Sequence, residues 1–338
     1  MPDRSPPLPH DVAASLSALG LIAAGVPHVA ERLTGGVSSE IWRVEAGGRV
    51  FCVKRAMPKL AVKDEWLAPV ERNRYERRWF KVAAARVPGS APRVLAHDDA
   101  AMLFAMDYLD PARFRLWKPA LMAGEVDVAF AAAVGSRLAA IHAATAGDMA
   151  VAAAFPTGRI FEALRLDPYL RATGRRHRDV AGALNALADR TAATARALVH
   201  GDVSPKNIMA GPLGPVFLDA ECAWYGDPAF DPAFCLNHLL LKCLHRPEMT
   251  QSFLAAFDAL AAAYLAGVAW EAREGLEARA ASLLPGLFLA RVDGKSPVEY
   301  VTAEAAKDHV RRVALPLLAA PPRRLAEVRA AWAKEMEV

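Results

Sequence analysis

The sequence predicts an α+β chain of two lobes, a small β-sheet lobe with one helix followed by a larger, mainly helical lobe. Two observations beyond size predict it. Strand-like runs broken by the glycine pairs Gly35-Gly36 and Gly47-Gly48 crowd into residues 28–60, whereas from Asp127 onward apolar residues recur at helical spacing. With 338 residues, 54% of them hydrophobic, the chain can bury a large core and more than one compact domain. Alanine and leucine dominate, so helix should exceed strand.

The proline-rich start "MPDRSPPLPH" reads as a frayed terminus. "VAASLSALGLIAAGVP" reads as a leading helix, because a signal-peptide core would have a basic segment directly before it and a cleavage site after it. That points to the cytoplasm. No apolar run reaches the roughly eighteen residues of a membrane span, so no membrane partner is expected. "HVAERLTGGVSSEIWRVEAGGRVFCVKRA" gives three strands, with "AGGR" as a hairpin. "VERNRYERRWFKVAAARV" reads as the helix of the small lobe. "PRVLAHDDAAMLFAMDYL" reads as two more strands around a turn at Asp98-Asp99. The small lobe therefore covers residues 1–109 and the large lobe 110–338.

In the large lobe, Phe130, Val134, Leu138 and Ile141 share one helix face, with His142 packed beside it. "FCLNHLLLKCLH" reads as one buried helix. Its Cys235, His238, Cys243 and His245 match no common zinc spacing, and with Cys52 and Cys222 the cysteines form no secreted disulfide pattern. The net charge of +4 is small for this length and the basic clusters are short, which argues against nucleic acid as a partner.

The chemistry concentrates in "LVHGDVSPKNIM" and, soon after it, "GPLGPVFLDAECAWYGDPAFD". Taken as a hairpin loop, Gly211–Pro215 sets Ala210 opposite Val216 and Asn207 opposite Asp219. An Asn carbonyl and an Asp carboxylate so placed can share Mg2+, a hard cation that prefers oxygen. In extended backbone Glu221 would add a second carboxylate on the same side. Asp202, on the preceding loop, can accept the proton of a substrate hydroxyl. One base with two or three oxygen ligands suits phosphoryl transfer. Lys54, at the end of an apolar strand, is placed to hold nucleotide phosphates, and Glu76 on the small-lobe helix can pair with it. "LFAMDYLDP", with Met106 and Tyr108, reads as a connector whose backbone can bond adenine.

These residues resemble the aminoglycoside phosphotransferase-like kinases, which share the two-lobed protein-kinase-like fold. "HGDVSPKN" is similar to their His-Gly-Asp-x-x-x-x-Asn loop. The resemblance implies ATP and Mg2+ as cofactors, Asp202 as catalytic base, Asn207 and Asp219 as metal ligands, and Lys54 with Glu76 as the phosphate-holding pair. The phosphate loop, "GGVSSE", departs from a full Gly-x-Gly-x-x-Gly, which leaves its work to backbone amides with Ser38 and Ser39. Within the superfamily, "LTGGVSSEIWRVE", "MDYLDP" and "DAECAWYGDPAFD" resemble the methylthioribose kinases. Arg311 and Arg312 in "HVRRVAL" resemble the arginine pair of that family's sugar site. "RVDGKSPVEY", residues 291–300, has no counterpart in the pattern.

The sequence thus predicts a small-molecule kinase acting on a hydroxylated metabolite such as a methylthioribose-like sugar. An aminoglycoside kinase is the rival reading. It would need an acidic acceptor pocket, and the carboxylates Glu271, Glu274, Glu277, Glu299 and Glu304 are interspersed with arginines. A non-catalytic nucleotide-binding module is a third reading, opposed by the joint presence of Lys54, Asp202, Asn207 and Asp219. A homodimer is compatible with the sequence.

Overall fold

The computed structural model describes residues 8–23, 26–33, 39–58 and 69–337. Five antiparallel strands, β1 (His28–Arg32), β2 (Ser39–Ala46), β3 (Arg49–Ala56), β4 (Val94–Asp98) and β5 (Leu103–Asp107), form one sheet in the order β1-β2-β3-β5-β4. Side chains alternate between its faces. On one face Trp42, Val44, Phe51 and Val53 pack against Val12 and Leu16 of helix α1 (His10–Ala18). On the other, Phe104 meets Phe80 of helix α2 (Arg72–Arg86) edge to face, 6.0 Å between centroids. The alternation carries Lys54 to the α2 side, opposite Phe104 on β5.

The large lobe is helical around a small hairpin. Helix Phe230–His245 is buried along nearly its whole length, as its apolar sequence requires. Its two cysteines, with Cys52 and Cys222, are buried and free. Helices Val128–Thr145 and Thr250–Ala266 cross closely, because Gly135 has no Cβ. One built there would stand 2.3 Å from the carbonyl oxygen of Leu260. The membrane-span expectation needs correction. The stretches Val128–Thr145 and Pro247–Ala266 are each long and apolar enough to span by length and composition. In this fold they line the lobe's interior, where His142 from the first bonds Tyr264 from the second.

The hairpin also differs from expectation. Strands Ile208–Gly211 and Gly214–Phe217 pair Gly211 with Gly214, Ala210 with Pro215 and Met209 with Val216. The turn is therefore Pro212-Leu213, not the five residues from Gly211 to Pro215. Pro212 fixes a negative φ and Leu213 has no positive one, so the turn is not of the primed types, and Gly214 just after it takes the positive φ, 97°. The register moves by one, so Asn207 faces Leu218, whose N–H donates to the Asn207 carbonyl at 2.8 Å. Asp219 follows with φ 62°, a left-handed turn that ends the strand and re-aims its carboxylate.

Candidate active site

The loop after strand Ala197–Val199 is held by buried contacts. Gly201 has φ 80°, and a Cβ on it would stand 2.7 Å from the Cys222 carbonyl oxygen, so only glycine lets the two segments touch. Asp231, fully buried, accepts the N–H groups of His200 and Gly201, both at 2.8 Å, and contacts His142 Nε2 at 3.2 Å. His200 is buried, and burial lowers its pKa, so the ring is neutral at pH 7. Since the Asp202 N–H must donate, His200 Nδ1 accepts it at 3.1 Å, and Nε2–H then donates to the Leu218 carbonyl at 2.9 Å. One imidazole thus joins the loop to the strand that carries Asp219.

The Asp202 carboxylate is 2.9 Å from Arg165 Nη2, 3.2 Å from Lys206 Nζ and accepts from Asn207 Nδ2 at 2.8 Å. Arg165 is buried and also donates from Nε to the Gly201 carbonyl at 2.6 Å. It comes from the wide helical turns Glu162–Arg171, which contain Pro168. Irregular helix of this kind gathers at functional sites. Arg165 and Asp231 were missed in the sequence, because each is fixed by tertiary contact and neither has a local motif.

Lys54 Nζ lies 2.7 Å from Glu76 Oε1 and 2.5 Å from Asp219 Oδ1, spanning the two lobes. Burial alone would lower the Lys54 pKa, but the carboxylates of Asp219, Glu76 and Glu221 outweigh it and push it well above the usual lysine range. Burial would likewise raise Asp219, yet the charges of Lys54 and Lys206 prevail and hold it well below the usual carboxylate range. Both are therefore charged at pH 7.

The remaining sequence candidates fall in different places. Glu221 does not continue an extended strand beside Asp219. The chain turns, and its Oε2 accepts from Arg72 Nε at 2.9 Å in a buried pair. That corrects the reading of Glu221 as continuing in extended chain beside Asp219. Ser38 lies outside the described residues; Ser39 is buried at the start of β2, opposite Ala56. Met106 pairs with Cys52 on β3, and Tyr108, just past β5, has the Arg43 guanidinium 5.3 Å from its ring centroid. Arg311 and Arg312 are also corrected. Arg311 forms two bonds to Asp293, at 2.9 and 2.7 Å, and others to Glu304 and Asp308, while Arg312 pairs with Glu335 at 2.7 Å. On helix Glu304–Ala319 their side chains turn to neighbouring helices, and neither contacts Asp202, Asn207, Asp219 or Lys54. Arg311→Ala is expected to lower stability by about 1 kcal/mol, a charge-assisted bond discounted for its partial exposure. The KM of the acceptor should stay at its wild-type value, and thermal melts with steady-state kinetics check both.

Residues 29–276, most of the chain, match the phosphotransferase enzyme family (APH). A methylthioribose kinase from Bacillus mycoides is 23% identical over 255 residues, which cover 67% of this chain and 64% of that relative. The chain thus matches less than two thirds of that relative's length. A choline/ethanolamine kinase family protein from Mesorhizobium loti superimposes with a TM-score of 0.55 at 19% identity, over 96% of this chain and 99% of its own. An amicoumacin kinase, solved with AMP-PNP and Ca2+, gives 0.51 at 15% identity, over 97% and 92%. The match over residues 29–276 shows that the chain belongs to the phosphotransferase enzyme family, and these two structures share its fold.

Proposed function

We propose that the protein transfers the γ-phosphoryl group of ATP to a hydroxyl of a small metabolite, with Asp202 as the base. The observation that carries this reading is the placing of Lys54 between Glu76 and Asp219, on the strand joined through His200 to the Asp202 loop. Lys54 holds nucleotide phosphate oxygens, Glu76 orients Lys54, and Asp202 accepts the acceptor's proton while Arg165, Lys206 and Asn207 fix its direction. Adenine bonds the backbone near Met106 and Tyr108.

The donors fit Mg2+. Asn207 spends its amide N–H on Asp202, which leaves its carbonyl oxygen as a hard donor, and Asp219 supplies an ionised carboxylate. One carboxylate and one amide oxygen suit an ion that arrives with phosphates and keeps part of its water shell. Bound there, Mg2+ neutralises charge on the phosphates. Among acceptors, a methylthioribose-like sugar is the candidate supported by the Bacillus mycoides relative, and an aminoglycoside is the rival.

Calorimetric titration of ATP with and without Mg2+ tests the metal assignment. Asp219→Ala is expected to weaken binding about 10-fold or more in Mg2+, the loss of one charged contact. In EDTA the change should be small. An equal loss in both conditions would remove Asp219 from the metal's ligands.

A further inference from the structure

A row of buried groups outside the machinery described so far begins at the catalytic loop. Phe234, His238 and Lys242 stand at i, i+4 and i+8 on helix Phe230–His245 and so share one face. Phe234 lies under Arg165, 5.7 Å from ring centroid to guanidinium, and Arg165 holds Asp202. From Phe234 to Lys242 the face runs two turns, about 12 Å. Tyr169 stands beside Phe234, 5.5 Å between centroids, and its hydroxyl accepts from Arg291 Nη1 at 3.1 Å. The Tyr300 ring covers Lys242 at 5.0 Å.

The row has cations and no anions to match. Lys242 is 1% exposed and, among the described residues, has no hydrogen bond and no carboxylate within 4.0 Å. Arg291 bonds only Tyr169 and Ser296; its Nε is buried without a partner, as is the Tyr300 hydroxyl. The nearby carboxylates are engaged elsewhere, Glu299 by Lys118 and Asp202 by Arg165 and Lys206. Burial lowers the Lys242 pKa to about 7, helped by Lys118 and, least, by Arg291, while Cys235 and Glu299 oppose it. An uncompensated cation in the interior destabilises a fold. Here it is kept, with an orphan hydroxyl and an orphan guanidinium N–H beside it.

We propose that the acceptor carries an anionic group, a carboxylate or a phosphate ester, held by Lys242, Arg291 and Tyr300 while its hydroxyl lies at Asp202. This rests on Asp202 as the base. The anion then sits roughly one to two helical turns, about 6–12 Å, from the reacting oxygen. Arg291 and Tyr300 both come from "RVDGKSPVEY", which lies outside residues 29–276, the span that matches the family. Polycations are repelled from such a site, and a neutral thiosugar leaves its cations unpaired.

The test has two arms. In the first, purified enzyme with ATP and Mg2+ is offered neutral polyols and pentoses, amino alcohols and aminoglycosides, hydroxycarboxylates, and sugar phosphates. One of the last two groups should be the best substrate, and which one distinguishes carboxylate from phosphate ester. Lys242→Met should raise the KM of that acceptor about 10–100-fold, the loss of a charge-assisted contact, with the KM of ATP unchanged. Its melting temperature should hold or rise, because a buried unpaired charge is gone. In the second arm, inorganic phosphate is titrated calorimetrically into wild type and Lys242→Met, with weaker binding expected in the variant. A neutral or cationic best acceptor overturns the proposal, as does an unchanged acceptor KM in Lys242→Met. No turnover with any acceptor, but phosphate binding lost in the variant, keeps the anion site and overturns the kinase reading instead. No turnover and equal phosphate binding overturns both.

Discussion

Asp202→Ala should lower kcat about 10²–10⁴-fold, the usual contribution of a general base, with ATP affinity nearly unchanged. The separation follows from geometry. Asp202 contacts Arg165, Lys206 and Asn207, whereas Lys54 pairs with Glu76 and Asp219. Loss of the carboxylate removes a proton acceptor and leaves the phosphate-holding lysine in place. Asp202→Asn is the sharper variant, because it keeps the shape and the bonds from Arg165 while removing basicity. Single-turnover kinetics with ATP in excess measure the effect, and near-normal turnover in both variants would reject Asp202 as the base.

Asp231→Ala should be the most destabilising single change in the large lobe. Its carboxylate satisfies two backbone N–H groups of the catalytic loop and faces His142, all buried. Two orphaned buried donors cost about 1–3 kcal/mol each, so about 2–6 kcal/mol is lost from a fold that holds about 5–15. The loop also loses the bonds that orient His200 and Gly201, so kcat should fall even at temperatures where the variant is folded. Urea denaturation gives the first quantity and low-temperature assays the second. A variant with wild-type stability would show that His200 and Gly201 find other partners.

Much of the fold was legible because it rests on local signals. The pair Gly47-Gly48, the alternation in "VFCVK" and the 3.6-residue period of the later helices each act within a few residues, and those elements appear close to where the signals put them, while Gly35-Gly36 lies outside the described residues. The site was legible in its members and less so in its geometry. Counting the hairpin from a five-residue loop put Asn207 opposite Asp219, but register depends on turn type, and Gly211 and Gly214 pair as strand residues instead of looping. Glu221 was read as extended chain, while the backbone turns after Asp219 and gives its carboxylate to Arg72. The arginines at 311 and 312 illustrate the opposite error: a pair that looks free in sequence is neutralised by Asp293, Glu304, Asp308 and Glu335 in space. Lys242 and Arg291, by contrast, have no carboxylate partner among the described residues, and Lys242 is hidden in an apolar helix. Neither adjacency nor composition could reveal which positive charges lack a counter-charge, since that depends on three-dimensional neighbours.

The way α2 is gripped bears on how the enzyme is controlled. Arg72 at its start binds Glu221, Trp79 at its middle packs edge-on to His200 and Phe217, at 4.8 and 6.3 Å, and Arg78 donates to the Ala154 carbonyl. In kinases that are switched on, the helix bearing the lysine's glutamate partner swings in only after a signal. Here it is bolted to the opposite lobe, with Glu76 facing Lys54. The enzyme's progress curves should start without a lag, and its output in a cell should follow how much protein is made and how much substrate is at hand.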